Sequence, residues 1–128
     1  MKENLYHFSL HLKFLDDVDV DKIEKQIGII AYKKTPLKES VGKNKSAKIW
    51  YKTQDKNNTL SDKVLENYIL KMQEKFEIIK DICLKNNGKA TLTMYYDQIQ
   101  EKPYLKLTAN QLKILADNNI DFELDLGQ

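Results

Sequence analysis

Leu65, Ile69, Met72, Phe76, Ile79 and Cys83 recur at steps of four and three residues through the middle of the chain, and runs of two-residue alternation flank them on both sides. A helix with one apolar stripe has to lay that stripe on something, and a sheet with one apolar face needs a cover. The two periods together predict one architecture, a long amphipathic helix docked on a sheet.

The first strand is the cleanest. From Leu5 to Phe14 the residues Tyr6, Phe8, Leu10, Leu12 and Phe14 point one way, while His7, Ser9, His11 and Lys13 point the other. Asp16-Asp17-Val18-Asp19 breaks the strand. Val20, Ile23 and Ile27 follow at helical spacing, with acids near the start where the helix dipole favours them, and Gly28 ends that short helix. Ile29 to Tyr32 is expected to be a second strand, and Lys33 through Ser46 a loop or a poorly paired edge. Ala47 to Thr53 is expected as a third strand, with Ile49 and Tyr51 on one face and Trp50 on the other.

Thr59 and Asp62 have the spacing of a capping box for the long helix, which Asn86-Asn87-Gly88 should close because glycine tolerates the left-handed conformation. Ala90 to Tyr96 alternates as a fourth strand, and Asp97 to Pro103 is a connection. Thr108 and Gln111 form a second capping box ahead of Leu112, Leu115 and Ala116, and Asn118-Asn119 ends that helix. Phe122, Leu124 and Leu126 then alternate with Asp121, Glu123 and Asp125.

The order β-α-β-β-α-β-α-β defines an α+β protein. Its first six elements match the split βαβ pattern of ferredoxin-like folds, with an added α-β at the C-terminal end. Charged residues at the outer positions of the first and last strands predict a single, mostly antiparallel sheet, wet on one face and covered by helices on the other. A chain of 128 residues can bury one core unaided, so residues 1–128 are expected to be a single domain.

Several chemistries have no residues to run on. Asp17, Asp19 and Asp21 open like an EF-hand loop, but the turn glycine position holds Lys22 and the bidentate glutamate position holds Gly28, so the acids read as helix caps and turn residues. His7 and His11 share a strand face about 13 Å apart, too far to share one metal, and no third histidine exists. Cys83, the single cysteine, sits on the apolar stripe near a helix C-terminus, where the dipole disfavours a thiolate. Four glycines, Gly28, Gly42, Gly88 and Gly127, write neither a P-loop nor a dinucleotide fingerprint. Ser9, Ser40, Ser46 and Ser61 have no nucleophile-elbow context. No cofactor, metal or catalytic residue is predicted.

With 31% charged residues, a net charge of +2 and no apolar run of spanning length, no membrane partner is predicted. The lone cysteine and the lack of a secretory-type leader point to the cytoplasm. One region is biased: between Lys33 and Lys56 eight lysines outnumber Glu39 and Asp55, with Tyr32, Trp50 and Tyr51 interleaved. Tyr32, Lys33, Lys34, Lys48, Trp50, Tyr51 and Lys52 are therefore the candidate binding residues. Trp50 and Tyr51 alternate, so one of them faces inward, and Trp50 reads first as a packing residue and second as a ligand-facing anchor.

Phe8-Ser9-Leu10, Asp17 and Asp19 ahead of Ile23, Ile27-Gly28-Ile29, the lone Trp50, the long helix, and Leu105-Lys106-Leu107-Thr108 with Leu112, Leu115, Ile120, Phe122 and Leu124 carry a resemblance. In these residues the chain resembles, over nearly its whole length, the bacterial domain of unknown function family numbered four-two-seven-nine. It departs from that pattern at Ile30, where a proline often follows the Gly-Ile step, and in the lysine-rich loop before Trp50. The resemblance implies a single small α+β bacterial domain and no catalytic residue.

The functional expectation is a non-enzymatic protein-binding module, such as an immunity-type protein that sequesters a toxin, with the lysine-rich region meeting an acidic partner. The alternative from another class is a nucleic-acid module that uses the same lysines for phosphates and Trp50 for stacking. An enzyme of unrecognised type is the third reading.

Overall fold

The computed structural model describes residues 6–42, 45–52, 61–96 and 106–125. In chain order these form β1 (Tyr6–Phe14), α1 (Val20–Ile27), β2 (Lys33–Thr35), a 3-10 turn (Leu37–Glu39), β3 (Ala47–Lys52), α2 (Ser61–Lys85), β4 (Gly88–Tyr96), α3 (Ala109–Asp117) and β5 (Ile120–Asp125). The strands make one mixed five-stranded sheet in the order β2-β3-β1-β4-β5. β1 runs antiparallel to both β3 and β4, β2 antiparallel to β3, and β5 parallel to β4 by way of α3.

The predicted packing is present. Every stripe residue of α2 named above is buried, and α2 packs on β1 and β4 between α1 and α3. Beneath it lie Phe8, Leu10, Leu12 and Phe14 of β1, Ile49 and Tyr51 of β3, and Ala90, Leu92 and Met94 of β4. Each fully buried Leu, Ile or Phe in such a layer contributes roughly 1.5–3 kcal/mol through the apolar area removed from water. Among the described residues, no helix is long and apolar enough to cross a membrane.

Local chemistry sets the helix ends. Asp19 caps α1 by accepting from the backbone N–H groups of Asp21 and Lys22. Gly28 ends α1 at φ +83°. Thr108 and Gln111 make the predicted reciprocal capping box of α3. The Thr59 cap of α2, the connection from Asp97 to Pro103, and Leu126 lie outside the described residues.

Three expectations need correction. The second strand is Lys33–Thr35, not Ile29 to Tyr32. Coming off the left-handed Gly28, the backbone N–H of Ala31 donates to Glu24 Oε2 at 2.7 Å and that of Tyr32 to the Trp50 carbonyl, so the chain enters the ladder only at Lys33. The left-handed residue after α2 is Asn87, at φ 52°, rather than Gly88. Gly88 instead begins β4 two residues before the expected start, at a place where a Cβ would come within 2.6 Å of the Phe14 ring. On β5, Phe122 is only half-buried and Leu124 is 48% exposed, because an edge strand has a neighbour on one side alone.

Candidate functional site

Alternation puts the remaining strand residues on the face opposite the helices, where strand register groups them into cross-strand rows. One row reads Lys33, Trp50, His11, Thr91, Asp121; the next reads Lys52, Ser9, Thr93, Glu123. A third brings Thr35, Lys48, Lys13 and Lys89 abreast. The face is thus basic from β2 through β1 and acidic along β5.

Three lysines side by side on adjacent strands repel one another. Lys48, Lys13 and Lys89 form no ion pair with another described residue. Such an arrangement opposes folding slightly and favours an anion above it. By contrast, Lys34, one residue off in the pleat, turns to the helix side and bridges Asp21 at 2.6 Å and Glu24 at 2.8 Å. Those hydrogen bonds hold both carboxyls below the usual carboxylate range and raise the ammonium of Lys34. Lys34 is a structural clamp of β2 on α1 and leaves the candidate site.

The rings collect beside the lysine row. The Trp50 and His11 rings sit 5.4 Å apart and tilted by 34°, and His11 Nε2 and Tyr95 Oη share a 3.2 Å hydrogen bond. Burial lowers the His11 pKa below its ordinary 6.5, against an opposing pull from Glu123, so the imidazole is neutral at neutral pH. Lys33 Nζ rests 4.8 Å from the centre of the Trp50 ring, and Lys52 Nζ 5.2 Å from that of Tyr32. Between these rings Ser9, His11, Tyr32, Trp50, Lys52 and Tyr95 enclose a shallow depression of about 190 Å³.

Of the residues the sequence proposed, Tyr32, Lys33, Lys48, Trp50 and Lys52 share this face or its β2 edge, whereas Lys34 and Tyr51 do not. Tyr51 is the inward member of its pair, 3% exposed, with burial pushing its hydroxyl up to about 12. Trp50 is half-buried on the open face, flanked by His11 on β1 and Lys33 on β2, so it packs and faces outward at once. The sequence reading missed Ser9, His11 and Tyr95. The outward register of β1, with β1 beside β3 as a ferredoxin-like order would have it, was the available signal.

Other chemistry is sparse. A second depression, about 600 Å³, lies between α2, α3 and the β4–β5 edge and includes Cys83, whose thiol burial pushes up to about 11. Among the described residues no group of three or more His, Cys, Asp or Glu is placed to hold a metal ion.

Fold and site together define a small α+β domain whose helices occupy one face of the sheet and whose other face carries a ring-and-lysine patch. The chain belongs to the family described as Domain of unknown function (DUF4279), whose profile matches residues 4–128. No curated protein and no solved structure matches it.

Proposed function

We propose that the protein is a non-enzymatic binding module whose open sheet face takes an acidic protein partner, in the manner of a bacterial, cytoplasmic immunity protein that sequesters a toxin. The observation that carries this reading is the row Lys48, Lys13, Lys89, set beside a cluster of rings. Like charges abreast are unfavourable in the free protein and become favourable against a complementary surface. Aromatic anchors rimmed by charge are what tight protein interfaces use. We also read β1 through β4 with α1 and α2 as a ferredoxin-like core, extended by α3 and β5.

The test is capture of a stoichiometric protein partner by the immobilised chain, repeated with Lys13, Lys48 and Lys89 all changed to Glu. Loss of capture in the triple variant supports the reading. No partner, or capture that ignores the charge reversal, defeats it.

A second reading has its own observation. His11 on β1 and Trp50 on β3 stand side by side on neighbouring strands at the middle of the sheet, an arrangement suited to stacking single-stranded bases. Titration of Trp50 fluorescence with oligonucleotides at two salt concentrations separates the two, since phosphate-driven binding weakens steeply with salt.

A further inference from the structure

We infer that the depression walled by Trp50 and Tyr32 is a receptor for a single carboxylate side chain, Asp or Glu, presented by the acidic partner; this deepens the binding reading above and rests on it. Ser9 is the hydroxyl residue of its lining that lies on β1, and Thr93 adjoins it without lining the depression. Ser9 lines the depression at 5% exposure, and its hydroxyl makes no hydrogen bond to another described residue. Thr93, directly across the β1–β4 ladder, is 1% exposed with an unpartnered Oγ1. A buried hydroxyl without a partner is costly, so the Thr93 orphan, lying next to a Ser9 hydroxyl that lines the opening, points to an oxygen acceptor supplied from outside.

The cation is at hand. Lys52 is the register partner of Ser9 on the other side, and its ammonium rests on the Tyr32 ring without an ion pair to a described residue. A resting cation–π contact at an exposed site is weak, and a charge-assisted hydrogen bond to a carboxylate is stronger, so Lys52 transfers when the anion arrives. One carboxylate oxygen then accepts from the Ser9 hydroxyl and the other from Lys52. The methylenes of the incoming side chain lie against Trp50 and Tyr32. A volume of about 190 Å³ equals the liquid share of roughly six waters, room for one acidic side chain.

The experiment titrates the 128-residue chain with a dodeca-glutamate peptide and follows its single tryptophan, Trp50. Saturable change is expected, weakened about three- to tenfold by Lys52→Gln and similarly by the Ser9→Ala/Thr93→Val double variant, as for loss of a hydrogen bond. A thermal melt of the double variant confirms that it folds. Equal affinity in all three proteins overturns the inference, because attraction by the lysine row alone would produce it. A silent titration in a protein that still captures its partner overturns the receptor and leaves the binding reading standing. A response to oligothymidylate but not to the peptide overturns both.

Discussion

Ser9 faces Thr93 across the β1–β4 ladder on the side of the sheet that the helices leave open, and both residues are buried there. An orphaned Thr93 Oγ1 stores a desolvation cost that the free protein never recovers. Thr93→Val, similar in shape, should stabilise the isolated protein by about 1 kcal/mol in urea titration. A loss of comparable size would show that the hydroxyl has a partner in the folded state.

Gly88→Ala should destabilise by about 1–3 kcal/mol, the usual range for an overpacked core. The added Cβ meets the fully buried Phe14 ring at 2.6 Å and Cys83 Cα at 3.0 Å, and neither the ring nor a helix backbone can swing aside. Denaturant unfolding at equilibrium checks the value, and an unchanged midpoint would contradict the packing of β1 against β4.

Glu24 joins α1 to the chain that follows it, accepting from Ala31 N–H through one oxygen and from Lys34 Nζ through the other. Glu24→Gln should therefore increase hydrogen exchange at Ala31 and in β2, while amides of β1 and β4 keep their protection. Uniform acceleration across the sheet would rule out a local clamp.

His11 sets a pH dependence. Its folded-state pKa lies below the ordinary 6.5, so between the two values the unfolded chain binds more protons than the folded one. Stability must then be level above about 6.5 and fall as pH drops toward the folded value. His11→Gln should flatten that segment of the curve, measured by urea midpoints from about pH 5 to 7.5. Parallel curves for the two proteins would mean that burial does not disfavour the charged ring.

Reversing the middle charge of the lysine row should separate stability from binding. Lys13→Glu replaces two repulsions with two attractions and is expected to raise stability by about 0.2–1 kcal/mol at low salt, less at high salt. Partner capture should weaken in the same variant. A gain in both would place the interface elsewhere.

Much of the fold was legible because two periods do most of the work: Phe8 to Phe14 and Leu65 to Cys83 each write their buried face directly into the sequence. The second strand was not legible. Ile29 to Tyr32 carries the apolar character of a strand, yet the Gly28 turn and the grip of Glu24 on Ala31 N–H keep it off the ladder, and Lys33-Lys34-Thr35 enters it through register with Trp50. Those are contacts between residues seven to seventeen apart, which local pattern does not encode. For the site, clustering Tyr32, Lys33, Lys48, Trp50 and Lys52 followed from charge and alternation. Removing Lys34 required knowing where Asp21 and Glu24 stand, and adding Ser9, His11 and Tyr95 required knowing that β1 lies between β3 and β4.

The cationic strands at one side of the sheet and Asp121, Glu123 and Asp125 at the other give this surface a lateral dipole. An incoming molecule with its own charge asymmetry experiences a torque as well as a pull, and is turned toward one azimuth before any atoms touch. For a partner that docks on this face as proposed, encounter would be orientationally biased in dilute buffer, and added electrolyte would erase that bias by slowing association more than it hastens release.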